Sequence, residues 1–395
     1  MFALVAFVAS LMILFFNSSE LLGGQFRIPQ IWMSAHFLLL GFAVMVAMGA
    51  MYQLVPVAFL TPIWNQTFGF YQFFVTAIGI GSFSILLGIK PDIAIYGGIL
   101  TIIGILMFIF QMVKTLSKRK ENNTMSHLVI AAIVCFFLTI VAGLLLAWNI
   151  AFGGIVSHQS ILYSHIALGV AGWFTLLIFS FSYKLVPMFS LSHGFSMKWA
   201  KPAFLTYIIG LILLIISFWM NQSIIQTLSW LILFIGFGFF VFDMKEILDK
   251  RVKKKLDKPF QFSLIAIING FVVHFLALMI SIFGVNHPSI WTWLIFLYII
   301  CWIIFSILGY LYKIVPFLWW THKYSERIGK EKVPTLKEMI DEKLSVVLFI
   351  FFAASVVGIL LSVTFQSGVA LSIFLGILAM TGLIYALSIM KVLLK

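Results

Sequence analysis

Two histidines have the clearest potential for chemistry in this chain, because they occupy matching places in two apolar segments. His36 lies 20 residues before Pro56, and His165 lies 22 residues before Pro187. A neutral imidazole is a common protein ligand for iron and copper. A lone histidine on an apolar helix is more often a hydrogen-bonded packing residue, but two at similar depth favour a shared metal or cofactor site.

The other histidines have weaker claims. His274 also lies inside an apolar run, where it is a possible third ligand, or an alternative to either of the first two, although a packing role is the commoner one. His127, His193 and His322 fall at the ends of apolar runs or in loops. We expect those three to be ordinary surface residues.

Two absences exclude several classes of protein. All twelve carboxylates lie outside the apolar runs or at their ends, Asp243 being the most deeply placed. A proton pump or proton-coupled carrier is expected to hold an acidic relay at membrane depth. The sequence also has no phosphate loop, dinucleotide fingerprint or nucleophile motif. Cys135 and Cys301 form no CxxC motif. Hydrolytic and nucleotide-driven enzymes are therefore not expected.

The composition indicates a polytopic membrane protein. The chain is 63% apolar and only 9% charged, whereas about a quarter of a soluble domain is charged. Twelve apolar runs are long enough to cross about 30 Å of hydrocarbon. They fall at about 1–17, 31–56, 69–89, 92–113, 127–149, 160–187, 202–219, 225–243, 262–283, 290–316, 344–364 and 368–390.

Three segments share landmarks at a regular period. Each ends in a Val-Pro pair and has a tyrosine four residues before the proline; the segments are 34–56, 165–187 and 294–316. The three prolines are 131 and 129 residues apart, which indicates one structural unit used three times. We therefore predict a single membrane domain, residues 1–395, of three four-helix repeats. Their approximate bounds are 1–120, 121–258 and 259–395.

The charges predict the orientation in the membrane. Only Arg27 and Lys90 follow the first and third runs, whereas the other 23 Lys and Arg lie by the loops after even-numbered runs or at the C-terminus. By the positive-inside rule both termini are cytoplasmic, and we expect a multi-pass protein of the cell membrane. The basic loops 244–258 and 317–343 could meet anionic lipid. Despite a net charge of +13, nucleic acid is not an expected partner.

Further polar and sulfur side chains within the runs have simpler explanations. Lys184 and Lys313 each lie three residues before a proline near a helix end, so we expect them to extend to the cytoplasm rather than to bind substrate. Met45, Met48 and Met51 have helical spacing. They could pass soft copper ions, but methionines at this spacing more often pack.

The first of the three segments resembles the tenth helix of the haem–copper oxidase catalytic subunit, in the form seen in nitric oxide reductases and C-type oxidases. The matching residues are Ser34-x-His36, Gly41-Phe42, Gly49, Tyr52 and Val55-Pro56. In that family an H-x-H pair opens the helix and binds two haems. The resemblance implies an all-α membrane fold of twelve helices in three pseudo-symmetric groups of four. Helices two, six and ten are then innermost, and both termini are inside.

The chain departs from the family at the ligand positions. The tenth run has no histidine, and neither has the seventh at 202–219, which in the family carries a pair resembling a copper site. We therefore predict neither a terminal oxidase nor a nitric oxide reductase, and catalytic activity is not expected. At the two H-x-H positions the first segment has Ser34 and His36, the second has His165 and Ala167, and the third has Leu294 and Phe296.

The resemblance suggests a haem site between helices two and six. Positions two apart on a helix point about 200° apart, so under the three-fold relation His36 and His165 both face that gap, about 3 Å apart in depth. We hypothesise a single bis-histidine b-type haem there, with copper less expected. Arg27 and His158 could pair with its propionates. His287 occupies the equivalent position before the third segment and completes a ring of three such residues. The alternative for all three is that they anchor the chain at the membrane interface.

Gly41 and Gly172 would let either a flat macrocycle or a neighbouring backbone approach closely. A bis-histidine haem has no open iron position, which suits electron transfer or haem carriage, with a redox partner or haem-handling protein. If one histidine is not bound, the vacant side could take nitric oxide, as in the similar NnrS membrane proteins. The competing hypothesis is a cofactor-free transporter or assembly factor that retains the fold.

Overall fold

The computed structural model describes residues 1–120, 122–285 and 287–395, and it contains helices but no named β-strand within these ranges. Eleven of the described helices are long and apolar enough to cross a membrane, so the chain is a polytopic membrane protein. In chain order after α1 (Phe2–Phe16), they are α2 (Pro29–Phe59), α3 (Gln66–Ile89), α4 (Pro91–Leu116), α5 (Thr124–Phe152), α6 (His158–Ser190), α7 (Ala200–Met220), α8 (Ser223–Asp249), α9 (Lys258–Ile282), α10 (Pro288–Arg327), α11 (Glu342–Thr364) and α12 (Gly368–Leu394).

The first predicted span is shorter than expected from its sequence. Helix α1 has 15 residues, which at 1.5 Å per residue is about 22 Å long and less than the hydrocarbon thickness of about 30 Å. Asn17 interrupts it, and a short helix, Ser18–Leu22, follows. The other eleven predicted runs agree with the observed helices to within a few residues at most ends, because hydropathy determines where a span can lie.

Polar caps define several helix starts. Asn65 accepts a hydrogen bond from the backbone N–H of Phe68 at 2.9 Å and begins α3. At the start of α5, Asn123 and Ser126 form a reciprocal capping box. Such side chains satisfy backbone donors that have no partner inside the helix. These starts are therefore determined by the local sequence.

The helices pack in a closed ring around three central ones. Helix α1 packs on α2, α5 on α6 and α9 on α10, while α3–α4, α7–α8 and α11–α12 form neighbouring pairs. Contacts of α4 with α5, α8 with α9, and α12 with α1 close the ring. Helices α2, α6 and α10 are the most buried. In their most apolar stretches 56%, 61% and 72% of the residues are buried, against 44% or less in the other spans.

The three central helices share an unusual local geometry. Each contains a π-helical segment, namely Phe37–Val44, Leu168–Phe174 or Tyr298–Ile304. Each segment lies 12 to 19 residues before a proline that the same helix accommodates in its interior. A π segment has one extra residue in its hydrogen-bonded turn and is often found at functional sites. The wider turn changes the direction in which the flanking side chains point.

One aspartate at the start of a span pairs with two lysines. Lys313 in α10 forms an ion pair with Asp257, the N-cap of α9, and Lys253 also bonds Asp257 at 2.9 Å. Burial raises the pKa of the Asp257 carboxyl, but the hydrogen bonds and charges of the two lysines outweigh burial and bring that pKa below its usual value. Lys313 is thus held by a carboxylate, a partner that its position in the sequence did not indicate.

Candidate cofactor site

The structure brings together the two histidines that the sequence pairs. The imidazole centroids of His36 and His165 are 6.5 Å apart, and the ring planes are inclined by 25°. His36 directly precedes the π segment of α2, and His165 lies three residues before that of α6. Both side chains are only half-buried. Two residues that are 129 positions apart in the chain thus face each other.

Hydrogen bonds determine which nitrogen of each ring can bind a ligand. Nδ1 of His36 donates to the carbonyl of Trp32 at 2.7 Å, and Nδ1 of His165 donates to the carbonyl of Thr139 at 2.9 Å. Because a carbonyl only accepts, each Nδ1 carries the hydrogen and each Nε2 keeps its lone pair. Neither Nε2 has a hydrogen-bond partner among the described residues. Metal-bound histidines in proteins are oriented in this way.

The separation of the rings suits two ligands of one metal ion. A metal–nitrogen bond is about 2.0–2.1 Å long, and a five-membered ring with bonds of about 1.33 Å has its atoms roughly 1.1 Å from its centre. Two imidazoles on opposite sides of one ion therefore have centroids about 6.3 Å apart. The observed centroid distance of 6.5 Å is close to this value. The centroid spacing and the two nitrogen donors therefore match those of two ligands of one metal ion.

The pair lies in an apolar environment. Phe83 of α3 meets the His36 ring edge to face at 5.2 Å. Phe83 and Ala147 belong to a small hydrophobic cluster separate from the main core, against which Trp32 packs. Over the described ranges, the backbones of α2 and α6 make no extended close contact, so side chains bridge the space between these helices. An apolar site with a few convergent polar groups is typical of cofactor binding.

Gly41 and Gly172 contact neighbouring helices. A Cβ on Gly41 would lie 2.6 Å from Cβ of Ala6 in α1, and one on Gly172 would lie 2.8 Å from Cβ of Cys135 in α5. These distances are too short for a side chain, so both glycines permit close helix packing. Of the two roles expected from the sequence, the approach of a neighbouring backbone accounts for both residues.

The residues of the predicted flanking ring lie at helix ends. Arg27 is exposed in the loop before α2, and His287 is the exposed N-cap residue of α10. His158 accepts a hydrogen bond from Nδ2 of Asn149 at 3.1 Å, and Oδ1 of Asn149 accepts one from the backbone of Ile155. Asn149 therefore links His158, at the start of α6, to the connection between α5 and α6. Pairing of Arg27 or His158 with propionates stays a prediction.

His274 belongs to a different polar cluster, in which both of its nitrogens are engaged. Nδ1 donates to the carbonyl of Gly270 at 2.7 Å. Nε2 lies 3.0 Å from the hydroxyl of Tyr207 and 3.2 Å from that of Tyr298, so its one lone pair accepts a hydrogen bond from a tyrosine hydroxyl. The side chain is fully buried. These contacts agree with the packing role, because no lone pair remains for a metal.

The cluster continues to helix α6, and sequence reasoning did not identify it. Tyr298 is hydrogen-bonded to the hydroxyl of Thr175 at 2.9 Å, and Nε1 of Trp302 donates to the same hydroxyl at 3.0 Å. All three side chains are buried. The only signal in the sequence is the presence of hydroxyl groups within apolar runs. Buried polar groups that are all paired make packing specific.

The remaining candidate groups are also explained by packing or exposure. His127, His193 and His322 are exposed, so the prediction that they are surface residues is confirmed. Met48 accepts a hydrogen bond from Gln72 at 3.8 Å. No group of three or more His, Cys, Asp or Glu side chains that could hold a metal ion lies in the described part of the chain.

Two of the three methionines are fully packed, and the third borders a cavity. Met48 and Met51 are buried in the core. Met45 lines a cavity of about 320 Å³ between α2, α6 and α10, whose walls are mostly apolar. This cavity lies toward the prolines. Its lining residues in α2 begin at Met45, directly after the π segment, and those in α6 begin at Phe174, the last residue of the π segment.

Comparisons with known proteins do not assign a family. No protein-family model matches the chain, and no curated protein matches it significantly. The functional proposal therefore rests on the geometry of the histidine pair.

Proposed function

We propose that this protein is a haem-binding integral membrane protein that holds one b-type haem between His36 and His165. The observation that carries the proposal is the pair of facing imidazoles, each with Nδ1 on a backbone carbonyl and Nε2 without a partner, with centroids 6.5 Å apart. Two neutral nitrogen donors are what a low-spin haem iron takes. The environment of the pair is apolar, as a haem requires.

We also propose that the fold is the twelve-helix arrangement of the haem–copper oxidase catalytic subunit. Support comes from the closed ring of helices and from the π segment and proline that recur at equivalent places in α2, α6 and α10. In this proposal α1 is the first of twelve spans, and the repeats divide near residues 120 and 258. The distribution of Lys and Arg supports cytoplasmic termini.

A haem with two axial histidines supplies one-electron transfer and leaves no position for a substrate. We therefore propose a role in electron transfer with a redox partner, or in haem handling, rather than oxygen or nitric oxide reduction. Nitric oxide handling would require one of the two histidines to leave the iron. The residues of the chain would provide both axial nitrogens and an apolar enclosure. Two neutral imidazoles also suit copper, so metal analysis belongs in the test.

The test is the spectrum of protein purified in detergent from haem-replete cells. We expect a sharp Soret band, split α and β bands on reduction, and one iron per chain. His36→Ala and His165→Ala should each remove the low-spin spectrum. The control His322→Ala changes an exposed histidine and should leave it intact. Copper without iron, or a low-spin spectrum that persists in both variants, would contradict the proposal.

A cofactor-free transporter is the second candidate function, and the central cavity favours it. A largely apolar space of about 320 Å³ between α2, α6 and α10 is large enough for a small apolar molecule. Colourless, metal-free protein from haem-replete cells would favour this function.

A further inference from the structure

We infer that Gly143 and the carbonyl of Thr139, both on α5, form a cradle that positions the His165 imidazole, so that α5 controls the second axial ligand. The inference rests on the proposed function, because it concerns the ligand of the same haem. Gly143 and Thr139 are then positioning residues that act through His165.

The contacts that form the cradle are short. The Thr139 carbonyl accepts from Nδ1 of His165 at 2.9 Å. One helical turn further along α5, a Cβ on Gly143 would lie 3.0 Å from Cε1 of His165 and 3.3 Å from Nδ1. The imidazole therefore lies in the space that the missing side chain leaves. Glycine is unfavourable in a helix interior, and the close approach of this ring gives a reason for it here.

The two histidines are held in different ways. The acceptor for His36 is Trp32, four residues earlier on the same helix. The acceptor for His165 is on α5, 26 residues away in sequence. The orientation of His36 is thus local to α2, whereas that of His165 depends on how α5 and α6 pack. A change on α5 should therefore affect the site although α5 carries no ligand.

Gly143→Ala and Gly143→Val test this inference. The methyl group of alanine would move the ring by a few tenths of an ångström, and valine would displace it further. Changes in the residues that orient a ligand typically weaken metal binding 10- to 100-fold. We expect haem to be lost to apomyoglobin about tenfold faster from Gly143→Ala, with altered low-spin electron paramagnetic resonance signals, and faster still from Gly143→Val.

The matched control is Gly49→Ala, because a Cβ there meets nothing within 4 Å. It should leave the haem-loss rate and the resonance signals unchanged. If both Gly143 variants behave like wild type, the inference is wrong while the haem proposal stands. A colourless wild-type protein would instead overturn the proposed function.

A second assay avoids the covalent link between the ring and α6. In His165→Gly, free imidazole should restore the low-spin spectrum by entering the cradle. Adding Gly143→Ala should raise the imidazole concentration for half recovery about tenfold, since the methyl group occupies the same space. An unchanged concentration would contradict the inference. This measurement also decides the case if Gly143→Val does not fold.

Discussion

At the scale of single residues, hydrogen bonding separates the three part-buried or buried histidines of the central region into two kinds. His274 uses both ring nitrogens within a network of tyrosine hydroxyls. His36 and His165 each use only Nδ1. The Nε2 lone pairs of His36 and His165 are therefore free to bind a ligand, whereas that of His274 is occupied. This difference, which spacing alone cannot give, distinguishes ligand from packing residue.

His274→Ala should therefore reduce stability without affecting the cofactor. Its removal leaves a buried tyrosine hydroxyl of this cluster without its acceptor, which costs about 1–3 kcal/mol. We expect a lower unfolding temperature and an unchanged low-spin spectrum, measured on the same preparation. The reverse result, loss of the spectrum from a protein of normal stability, would make His274 a ligand.

The ion pair of Asp257 predicts a dependence of stability on pH. The pKa of Asp257 is lower in the folded protein than in the unfolded chain, so this carboxyl stabilises the fold above its unfolded pKa of about 3.9. The contribution is lost as the pH falls through the lower, folded pKa. Asp257→Asn should lower the unfolding temperature at pH 6 and have a smaller effect at pH 3.

The control for the pH prediction is Asp249→Asn, which changes an exposed carboxylate at the end of α8. Its unfolding temperature should follow that of wild type throughout. A loss in Asp257→Asn that is as large at pH 3 as at pH 6 would show that the carboxylate charge is not the cause.

At the scale of elements, the π segments explain how one helix can present a ligand at one end and core side chains at the other. A residue in an α-helix turns by about 100°, so one extra residue in a turn changes the rotational phase of everything beyond it. In α6 the segment Leu168–Phe174 separates His165 from the packed half that ends at Pro187.

Deletion of Gly169 should remove the extra residue and convert this segment to α-helix. The half of α6 that carries His165 would then rotate by about 100° relative to the half near Pro187, which moves the imidazole away from His36. We expect the low-spin spectrum to disappear while the helix content measured by circular dichroism is kept. Deletion of Ile299 in the π segment of α10 is the matched control and should retain haem, because the half of α10 before that segment carries no histidine.

The sequence was sufficient for the helices but only partly for the site. Hydropathy located eleven spans to within a few residues at most ends, and the family resemblance, applied through the three-fold relation, led to the prediction that His36 and His165 share one gap. The short α1 was not expected, because its composition alone does not show the break at Asn17. The carbonyl of Thr139 could not be predicted either, since backbone groups leave no signal in a sequence and this contact joins two helices.

At the scale of the whole molecule, the helix packing and the distribution of charge together indicate at which face of the membrane the histidine pair lies. The histidine pair lies near the start of α2 and α6, and the prolines lie toward their ends. If the basic loops are cytoplasmic, the pair lies toward the outer face. An electron donor or acceptor would then approach from outside, where α2 and α6 begin.

Labelling of single cysteines tests this orientation. With Cys135 and Cys301 replaced by alanine, Asp92→Cys marks the α3–α4 turn and Glu331→Cys marks the basic loop after α10; both positions are exposed. A membrane-impermeant maleimide applied to intact cells should label the first and not the second, and both should react after lysis. The opposite pattern would put the histidine pair near the cytoplasm, and the redox partner would then have to be a cytoplasmic protein.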